Sequence, residues 1–221
     1  MSTIPALPGA VRKNDALFMF GASRPRPFVL TYDQQRIEVV GGPSLRHETE
    51  IHTGRCLEDE VPVYERRGGG GTVVLAPGMV ITIVVDDRPS GVGATTLFDL
   101  IHDCMITLLQ DQGIRGIVRC GISDLAIDGR KILGSSLYMG NHPFLYYYQS
   151  SLIVDADLGL LDRYLRHPPR EPDYRGGRTH RDFCTSLAAA GHMMSSAAIR
   201  ELFDTSLAGC ITSRKKGLPS R

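Results

Sequence analysis

Apolar residues occur along most of this chain in short runs, many of them alternating with polar residues, which is typical of β-strands. Gly, Pro, Asn and Asp residues separate the runs. Strands are predicted at 16–20, 28–32, 36–40, 61–65, 72–76, 79–86, 116–120, 125–127, 132–138 and 144–154. The runs at 72–76 and 79–86 are interrupted only by a Pro-Gly pair, which predicts a hairpin or adjacent strands. An Asp-Gly pair at 128–129 predicts a tight hairpin turn.

Helical spacing of apolar residues is clearest in the middle of the chain. A helix is predicted from Thr96, whose side chain and that of Asp99 resemble a capping box, to a stop near Gly113. His102 lies off the apolar stripe of this helix and is expected at the surface. The same spacing predicts two further helices, at 157–166 and 195–207.

The order of these elements indicates the fold class. Strands outnumber helices and do not alternate with them as they do in βαβ units. We therefore expect an α+β fold, with a mostly antiparallel β-sheet and flanking helices, in a single domain over residues 1–221. Residues 188–221 are expected to form a terminal helix and a short, solvated basic tail.

Composition and charge argue against several function classes. The 25 Lys and Arg residues nearly balance the 24 Asp and Glu residues, so no electrostatic footprint for nucleic acid is present. No apolar run reaches the ~20 residues of a membrane helix. The five cysteines are far apart and form no CxxC pair, which argues against a disulfide framework or a zinc site. The N-terminal residues lack the layout of a signal peptide, so a cytoplasmic location is expected.

The most informative motif is Arg-Arg-Gly-Gly-Gly-Gly-Thr-Val at residues 66–73. Four consecutive glycines have a high backbone entropy cost, which a fold tolerates where a ligand must approach the main chain closely. Successive main-chain N–H groups in such a turn suit phosphate oxygens, and adjacent arginines add charged donors. The motif is not a Walker loop, because no Lys-Ser or Lys-Thr follows the glycines. The alternative reading is a flexible surface loop.

A second candidate for chemistry is Lys131, which begins an apolar strand. Small residues follow it at Gly134, Ser135 and Ser136. A lysine beside a pocket of small residues can bind a carboxylate and a phosphate together, because its ammonium is a compact charge. The alternative is an ordinary solvated lysine at the end of a hairpin.

Taken together, these motifs resemble the superfamily of lipoate-protein ligases, octanoyltransferases and biotin ligases, and most closely the lipoate-protein ligases. The family's Arg-Arg-x-Ser-Gly-Gly-Gly-Ala-Val segment matches residues 66–73. Its Asn-Asp-Leu and Arg-Lys-x-x-Gly-Ser segments match 123–125 and 130–135. Two further matches follow at 149–158 and 178–187, and a weaker one precedes the glycine-rich motif at 17–34. The likeness extends in the same order from residue 16 to residue 187.

The resemblance implies ATP-dependent activation of lipoate or octanoate to an acyl-adenylate. The acyl group is then transferred to a lysine of a lipoyl-carrier protein, such as a lipoyl domain or an H-protein-like acceptor. By this resemblance, Lys131 contacts both the substrate carboxylate and the α-phosphate. The residues implied to bind ATP are Arg67, Gly71, Thr72, Val73, Val74 and Lys131.

The resemblance also implies an acyl site and a metal. The residues implied to bind lipoate are Gly70, Lys131, Ser135 and Ser150, beside an apolar tunnel for the acyl chain. Asp124 is implied to help position Mg²⁺ or the acceptor lysine. One departure affects the acyl pocket, because Tyr148-Gln149-Ser150 stands where the family has His-His-Gly.

Three alternatives remain open from the sequence. An octanoyltransferase would act without ATP through a cysteine thioester, with Cys184 as the candidate nucleophile, although that family carries its cysteine several residues earlier. The second alternative is a non-catalytic subunit that binds a lipoyl group or a carrier protein. The third concerns the ligase itself: because only a helix and a tail are expected after Leu187, the protein is either a compact single-domain ligase or one that needs an accessory ligase subunit. Biotin ligation is disfavoured, since the Gly-Arg-Gly-Arg loop of that branch is absent.

Overall fold

The computed structural model describes residues 15–141 and 144–218. Its strands are β1 (Phe28–Asp33), β2 (Glu38–Gly41), β3 (Val63–Glu65), β4 (Val73–Leu75), β5 (Met79–Asp87), β6 (Val118–Cys120), β7 (Asp124–Ile127), β8 (Arg130–Met139) and β9 (Leu145–Ile153). Its helices are α1 (Asp15–Ala22), α2 (His47–Glu50), α3 (Thr53–Glu58), α4 (Ala94–Asp111), α5 (Gly159–Tyr164), α6 (His180–Phe183) and α7 (Ser196–Lys215), with a 3₁₀ turn at Asp173–Arg175.

The strands form two sheets. The large sheet has six strands in the order β1-β5-β9-β8-β7-β6, and all neighbouring strands are antiparallel. The small sheet has the order β3-β2-β4, with β2 parallel to β3 and antiparallel to β4. This arrangement confirms the predicted α+β class and the mostly antiparallel sheet.

One face of the large sheet is covered by the two long helices. Tyr148 and Leu152 of β9 lie in one buried cluster with Leu97 and Ile101 of α4 and Phe203 of α7. Such a large contiguous apolar cluster is the main source of stability in a domain of this size. We call this side of the large sheet the helix face.

The opposite face of the large sheet contacts α1 and the small sheet. The Phe18 ring of α1 meets the Tyr138 and Tyr147 rings edge to face, with centroids 5.9 and 5.6 Å apart. Ile81 of β5 packs in one cluster with Val40 and Leu75 of the small sheet. We call this side the cleft face, because the candidate site lies on it between the two sheets.

Three expectations about elements are wrong. Residues 16–20 belong to helix α1, not to a strand. The runs at 72–76 and 79–86 do not form a hairpin: β4 belongs to the small sheet and β5 to the large one. His102 is 1% exposed, because it faces Ser135 of the large sheet.

The basic residues near the C-terminus also differ from expectation. Helix α7 runs to Lys215, whose Nζ donates to Asp86 Oδ2 over 2.7 Å and to the Asp87 carbonyl over 2.9 Å. Asp86 is 1% exposed, so Lys215 neutralises a buried carboxylate. In the described part of the chain, no helix is both long and apolar enough to span a membrane.

Candidate active site

Lys131 lies at the start of β8, and its side chain folds along the strand. Its Nζ is 2.8 Å from Asp124 Oδ1 on neighbouring β7. A Cβ added at Gly134 would be 2.7 Å from this Nζ and 2.8 Å from Cε. Because it has no side chain, Gly134 leaves room for the lysine side chain. This explains why a small residue follows Lys131 at position 134.

The main chain around Lys131 is held by the segment after α6. The Lys131 carbonyl accepts a hydrogen bond from the Thr185 N–H over 2.9 Å, and Lys131 forms an isolated parallel bridge with Cys184. Arg130 donates to the Cys184 carbonyl over 2.7 Å. Residues 184–185, which the resemblance includes in its last motif, thus form the backbone support of the lysine.

Asp124 is a buried carboxylate with both oxygens engaged. Oδ1 faces Lys131, and Oδ2 accepts a hydrogen bond from the Tyr174 hydroxyl over 2.8 Å. Among residues 15–141 and 144–218, no group of three or more His, Cys, Asp or Glu side chains could hold a metal ion. Side chains of the described residues alone therefore do not form a complete Mg²⁺ site. Asp124 supplies a single carboxylate, and Lys131 and Tyr174 already bind its two oxygens.

The glycine-rich loop is shaped by Arg66. The buried guanidinium donates to the carbonyls of Val40 over 3.0 Å, Gly69 over 3.1 Å and Gly71 over 2.7 Å. Burial lowers the pKa of Arg66 to about 10, and the nearby Glu50 carboxylate opposes that shift. At this pKa the side chain stays charged at neutral pH, so it holds the loop carbonyls through charge-assisted bonds.

Two glycines allow the loop to adopt this conformation. Gly70 has a φ of +104°, which residues with a Cβ rarely adopt. A Cβ at Gly42 would be 2.6 Å from the Gly70 carbonyl oxygen, so the position after β2 also needs a glycine. The loop is further anchored by Thr72, whose hydroxyl donates to Glu50 over 2.5 Å.

The main-chain N–H groups of the loop are left for a ligand. Within the described chain, none of the N–H groups of residues 68–72 donates a hydrogen bond. Glycines 69–71 are exposed, whereas Gly68 is buried against Ser136. Because Arg66 draws the carbonyls of Gly69 and Gly71 to itself, the loop presents donors that suit an anion such as a phosphate.

Arg67 is held near this loop by α1. Its guanidinium makes two hydrogen bonds to the Asp15 carboxylate, over 2.7 and 3.0 Å. It also lies over the rings of Phe18 and Tyr138, 5.2 and 5.5 Å from their centroids. The Asp15 bonds raise the pKa of Arg67, so it is a permanent cation whose position is set by α1.

The loop and Lys131 lie on the same face of β8. A Cβ at Gly68 would be 3.0 Å from Ser136. Ser136 is two residues along β8 from Gly134, and the Lys131 amine lies beside Gly134. Two residues of a strand span about 7 Å. The loop and the lysine are therefore spaced to bind two parts of one anionic ligand.

The strand register decides which residues form the floor of this cleft. Ser136 pairs with Gln149, and Gly134 pairs with Ser151, so all four lie on the cleft face. Gln149 is 7% exposed, and its Oε1 is a buried atom with no hydrogen-bond partner among the described residues. We identify Gln149 as a candidate ligand-binding residue that the sequence analysis did not name. The signal for it was its position in Tyr148-Gln149-Ser150, which stands where the family has His-His-Gly.

Two predicted lipoate-binding residues lie on the other face. Ser135 and Ser150 pair across β8 and β9 and lie on the helix face. Ser135 Oγ is 3.1 Å from His102 Nε2 and donates to the Ser123 carbonyl over 2.8 Å. Burial lowers the pKa of His102 to about 4, so it is neutral at physiological pH. The side chains of Ser135 and Ser150 are thus separated from the Lys131 side chain by the sheet, and their role in lipoate binding stays a prediction.

The remaining predicted nucleotide-binding residues lie at the end of the loop. Val73 pairs with Val40 of β2, and the buried Val74 pairs with Val39. Their strand β4 is at the edge of the small sheet, so its outer main-chain edge has no partner strand in the described chain. Nucleotide binding by Gly70, Gly71, Thr72, Val73 and Val74 stays a prediction, and these positions offer main-chain groups for it.

Cys184 is adjacent to Lys131 but buried. It is 7% exposed, and burial raises the pKa of its thiol, although the Lys131 charge opposes the shift. A thiolate, not a thiol, is the effective nucleophile. In this conformation, Cys184 has the character of a core residue.

Comparison with known proteins adds the family. The model of the lipoyl protein ligase A/B catalytic domain matches residues 15–208. A lipoate–protein ligase from Streptococcus pyogenes is 29% identical over 151 residues, which cover 68% of this chain and 42% of that protein. An octanoyltransferase from Chromobacterium violaceum is 31% identical over 102 residues, covering 46% of this chain and 48% of that protein. The chain thus spans less than half the length of these curated relatives.

A solved structure has the same fold. It is that of a bi-partite lipoate protein ligase and its E2 lipoyl domain from Thermoplasma acidophilum, with a TM-score of 0.74 and 18% identity, covering 94% of this chain and 78% of that one. The family model extends over most of the chain and includes the glycine-rich loop, Lys131 and Asp124. The chain therefore belongs to the lipoyl protein ligase A/B catalytic-domain family.

Proposed function

We propose that this protein activates lipoate or octanoate with ATP and transfers the acyl group to a lysine of a lipoyl-carrier protein. The observation that carries the proposal is the spacing on the cleft face of β8. Gly68, at the start of a loop with unused main-chain N–H donors, packs on Ser136, which is about 7 Å along β8 from Gly134, where the Lys131 amine lies. A carboxylate and a nucleotide phosphate that react with each other need two anion-binding groups at such a short spacing.

The residues have distinct roles in the proposed reaction. Lys131 Nζ holds the acid's carboxylate beside the α-phosphate, while the main chain at Gly70 and Gly71 holds phosphate oxygens. The carboxylate oxygen attacks the α-phosphorus, and pyrophosphate leaves. The ε-amine of the carrier lysine then attacks the acyl carbon, and AMP leaves. Fixed donors that already face the developing charge lower the barrier, because no solvent has to reorganise.

Gln149 and Arg67 extend this site on either side. Gln149 lies on β9 beside Ser136, level with the loop on the cleft floor, and its buried amide oxygen has no partner, so its amide can hydrogen-bond the bound ligand. Arg67, fixed by Asp15, supplies a second positive charge beyond the loop for the nucleotide. Mg²⁺ stays a prediction, and no step here depends on it.

The acceptor is proposed to be a lipoyl domain or a similar carrier. The structural neighbour from T. acidophilum is a bi-partite lipoate protein ligase whose E2 lipoyl domain is known, and it shares this fold. An accessory ligase chain stays an alternative to a self-sufficient enzyme, and the carrier assay below separates the two. The cytoplasmic location expected from the sequence stays a prediction.

ATP-independent octanoyl transfer is the second candidate. The octanoyltransferase relative and the position of Cys184 next to Lys131 favour it. Burial and the raised thiol pKa of Cys184 argue against a thioester at this residue. A transferase mechanism would require the segment around α6 to move and expose the thiol.

Intact mass spectrometry of an apo lipoyl domain tests the proposal. The carrier is incubated with the protein, lipoate, Mg²⁺ and ATP, and in parallel with octanoyl-acyl carrier protein without ATP. We expect a lipoyl mass increase only when ATP is present. Octanoyl transfer without ATP, lost in Cys184→Ser, would establish the transferase instead. No transfer in either reaction would contradict a self-sufficient enzyme and favour an accessory chain or a binding role.

A further inference from the structure

We propose that Tyr174 is a positioning residue for Lys131, acting through its hydrogen bond to Asp124. This inference rests on the proposed function, in which Lys131 holds the reacting carboxylate. The Tyr174 hydroxyl donates to Asp124 Oδ2 over 2.8 Å, and Lys131 Nζ lies 2.8 Å from Asp124 Oδ1. One buried carboxylate therefore joins the tyrosine to the lysine.

The tyrosine is built into its position by its surroundings. A Cβ at Gly121 would be 3.6 Å from Tyr174 Cε1, so the ring packs directly on the turn that precedes β7. On another side, the Phe183 ring of α6 lies 5.0 Å away between centroids. Arg178 donates to the Tyr174 carbonyl over 2.6 Å and fixes the main chain. The ring is thus packed against elements on both sides, and its hydroxyl has a defined target.

The hydroxyl determines which way the carboxylate faces. A carboxylate held by one donor can rotate about its last side-chain bond, whereas two donors on opposite oxygens fix its plane. With Oδ2 occupied by the tyrosine, Oδ1 stays directed at Lys131. Burial, followed by the Asp124 charge, raises the pKa of Tyr174, so the hydroxyl keeps its proton and remains a donor at physiological pH.

The same segment of chain also holds the other end of Lys131. Tyr174 and Thr185 both belong to the stretch that follows α5, and Thr185 N–H binds the Lys131 carbonyl. The lysine is therefore fixed at its amine through Tyr174 and Asp124, and at its main chain through Thr185. Accurate placement of a catalytic group matters, because a displacement of about 1 Å can cost about a hundredfold in rate.

Tyr174→Phe tests the role, because it removes one hydroxyl and keeps the ring. The matched control is Tyr164→Phe, which removes a similar bond of 2.7 Å to the Asp59 carboxylate, a bond that involves neither Lys131 nor Asp124. The rate of pyrophosphate release with lipoate and ATP is measured at varied substrate concentration. We expect kcat to fall about tenfold to a hundredfold in Tyr174→Phe, with KM within about twofold. A hydrogen bond to a charged group contributes about 1.5–3 kcal/mol, and loss of that free energy in the transition state corresponds to this fall in rate. We expect Tyr164→Phe to keep kcat.

A second measurement does not depend on the activity. In crystal structures without substrate, we expect Tyr174→Phe to keep the fold while the plane of the Asp124 carboxylate turns and Lys131 Nζ shifts from its wild-type position beside Gly134. In Tyr164→Phe the pair should remain intact. An unchanged Lys131–Asp124 pair in Tyr174→Phe overturns the inference, and so does a kcat equal to that of the Tyr164→Phe control. If the wild-type protein releases no pyrophosphate, the proposed function fails, and the crystal structures still decide the role of Tyr174.

Discussion

Gly134→Ala should separate the activity of this protein from its stability. The added Cβ would lie 2.7 Å from Lys131 Nζ, whereas ordinary contact begins at 3.4 Å. The amine must therefore retreat by at least about 0.7 Å from its position beside Asp124, where the present N–O distance is 2.8 Å. Both clashing atoms are at the far end of a flexible side chain, so the fold can absorb the change.

The expected loss is large in rate and small in stability. A displacement close to 1 Å of a catalytic group costs up to about a hundredfold in rate. We expect acyl-adenylate formation, followed as pyrophosphate release, to fall by about that factor. The melting temperature should stay within about 4 °C, because less than about 1 kcal/mol of unfolding free energy is at stake.

Gly209→Ala is the matched control for this substitution. Gly209 lies in α7, and nothing within 4 Å would meet its added Cβ. We expect unchanged kcat and a small gain in melting temperature, since alanine stabilises a helix by about 0.5–1 kcal/mol relative to glycine. If Gly134→Ala retained the wild-type rate, the placement of Lys131 over Gly134 would not matter for the chemistry, and the reasoning would be refuted.

Three further substitutions test other parts of the structure. Gln149→Leu removes a buried amide oxygen that lacks a partner, so it should raise the unfolding free energy by about 1 kcal/mol and increase the KM for the acid; unchanged KM would exclude Gln149 from the site. Because folding lowers the pKa of His102 from 6.5 to about 4, wild-type stability should fall by about 2 kcal/mol from pH 7.5 to 5 in urea titrations, and the fall should shrink in His102→Gln. Lys215→Met leaves the buried Asp86 carboxylate without its cation and should cost about 3 kcal/mol, measured by urea unfolding; a loss below about 0.5 kcal/mol would contradict that role.

Most elements were predictable because their signals are local. The Asp-Gly turn has positive φ at both residues, 49° and 70°, as its sequence predicted. The aromatic residues at 16–20 predict a strand, because aromatic side chains favour strands. The run instead belongs to α1, with Phe18 buried and Met19 exposed. A short apolar run carries too little periodicity to distinguish the two structures.

Long-range arrangement was harder to predict than local structure. A Pro-Gly pair predicts a turn, and it cannot indicate that β4 and β5 enter different sheets. His102 looked peripheral to the apolar stripe of α4, and its burial comes from a polar partner, Ser135, on a distant strand. Such pairings depend on tertiary contacts that no local pattern encodes.

The candidate site was predictable in its main groups and less so in its details. Lys131, the glycine-rich loop and Asp124 lie together on the cleft face, in agreement with the motifs. The motif match includes Ser150, which lies on the helix face, whereas its neighbour Gln149 faces the cleft, because adjacent residues of a strand lie on opposite faces. Tyr174 had no motif, since its role depends on how a loop packs against Gly121.

Detection of the acyl-adenylate tests the central claim most directly. The protein is incubated with ATP, Mg²⁺ and lipoate or octanoate without any acceptor, and the mixture is analysed by mass spectrometry for acyl-AMP, beside Lys131→Met. The account predicts acyl-AMP with the wild-type protein and at least about a hundredfold less with the variant. Absence of acyl-AMP from the wild-type protein, together with ATP-independent octanoyl transfer to a carrier, would contradict it.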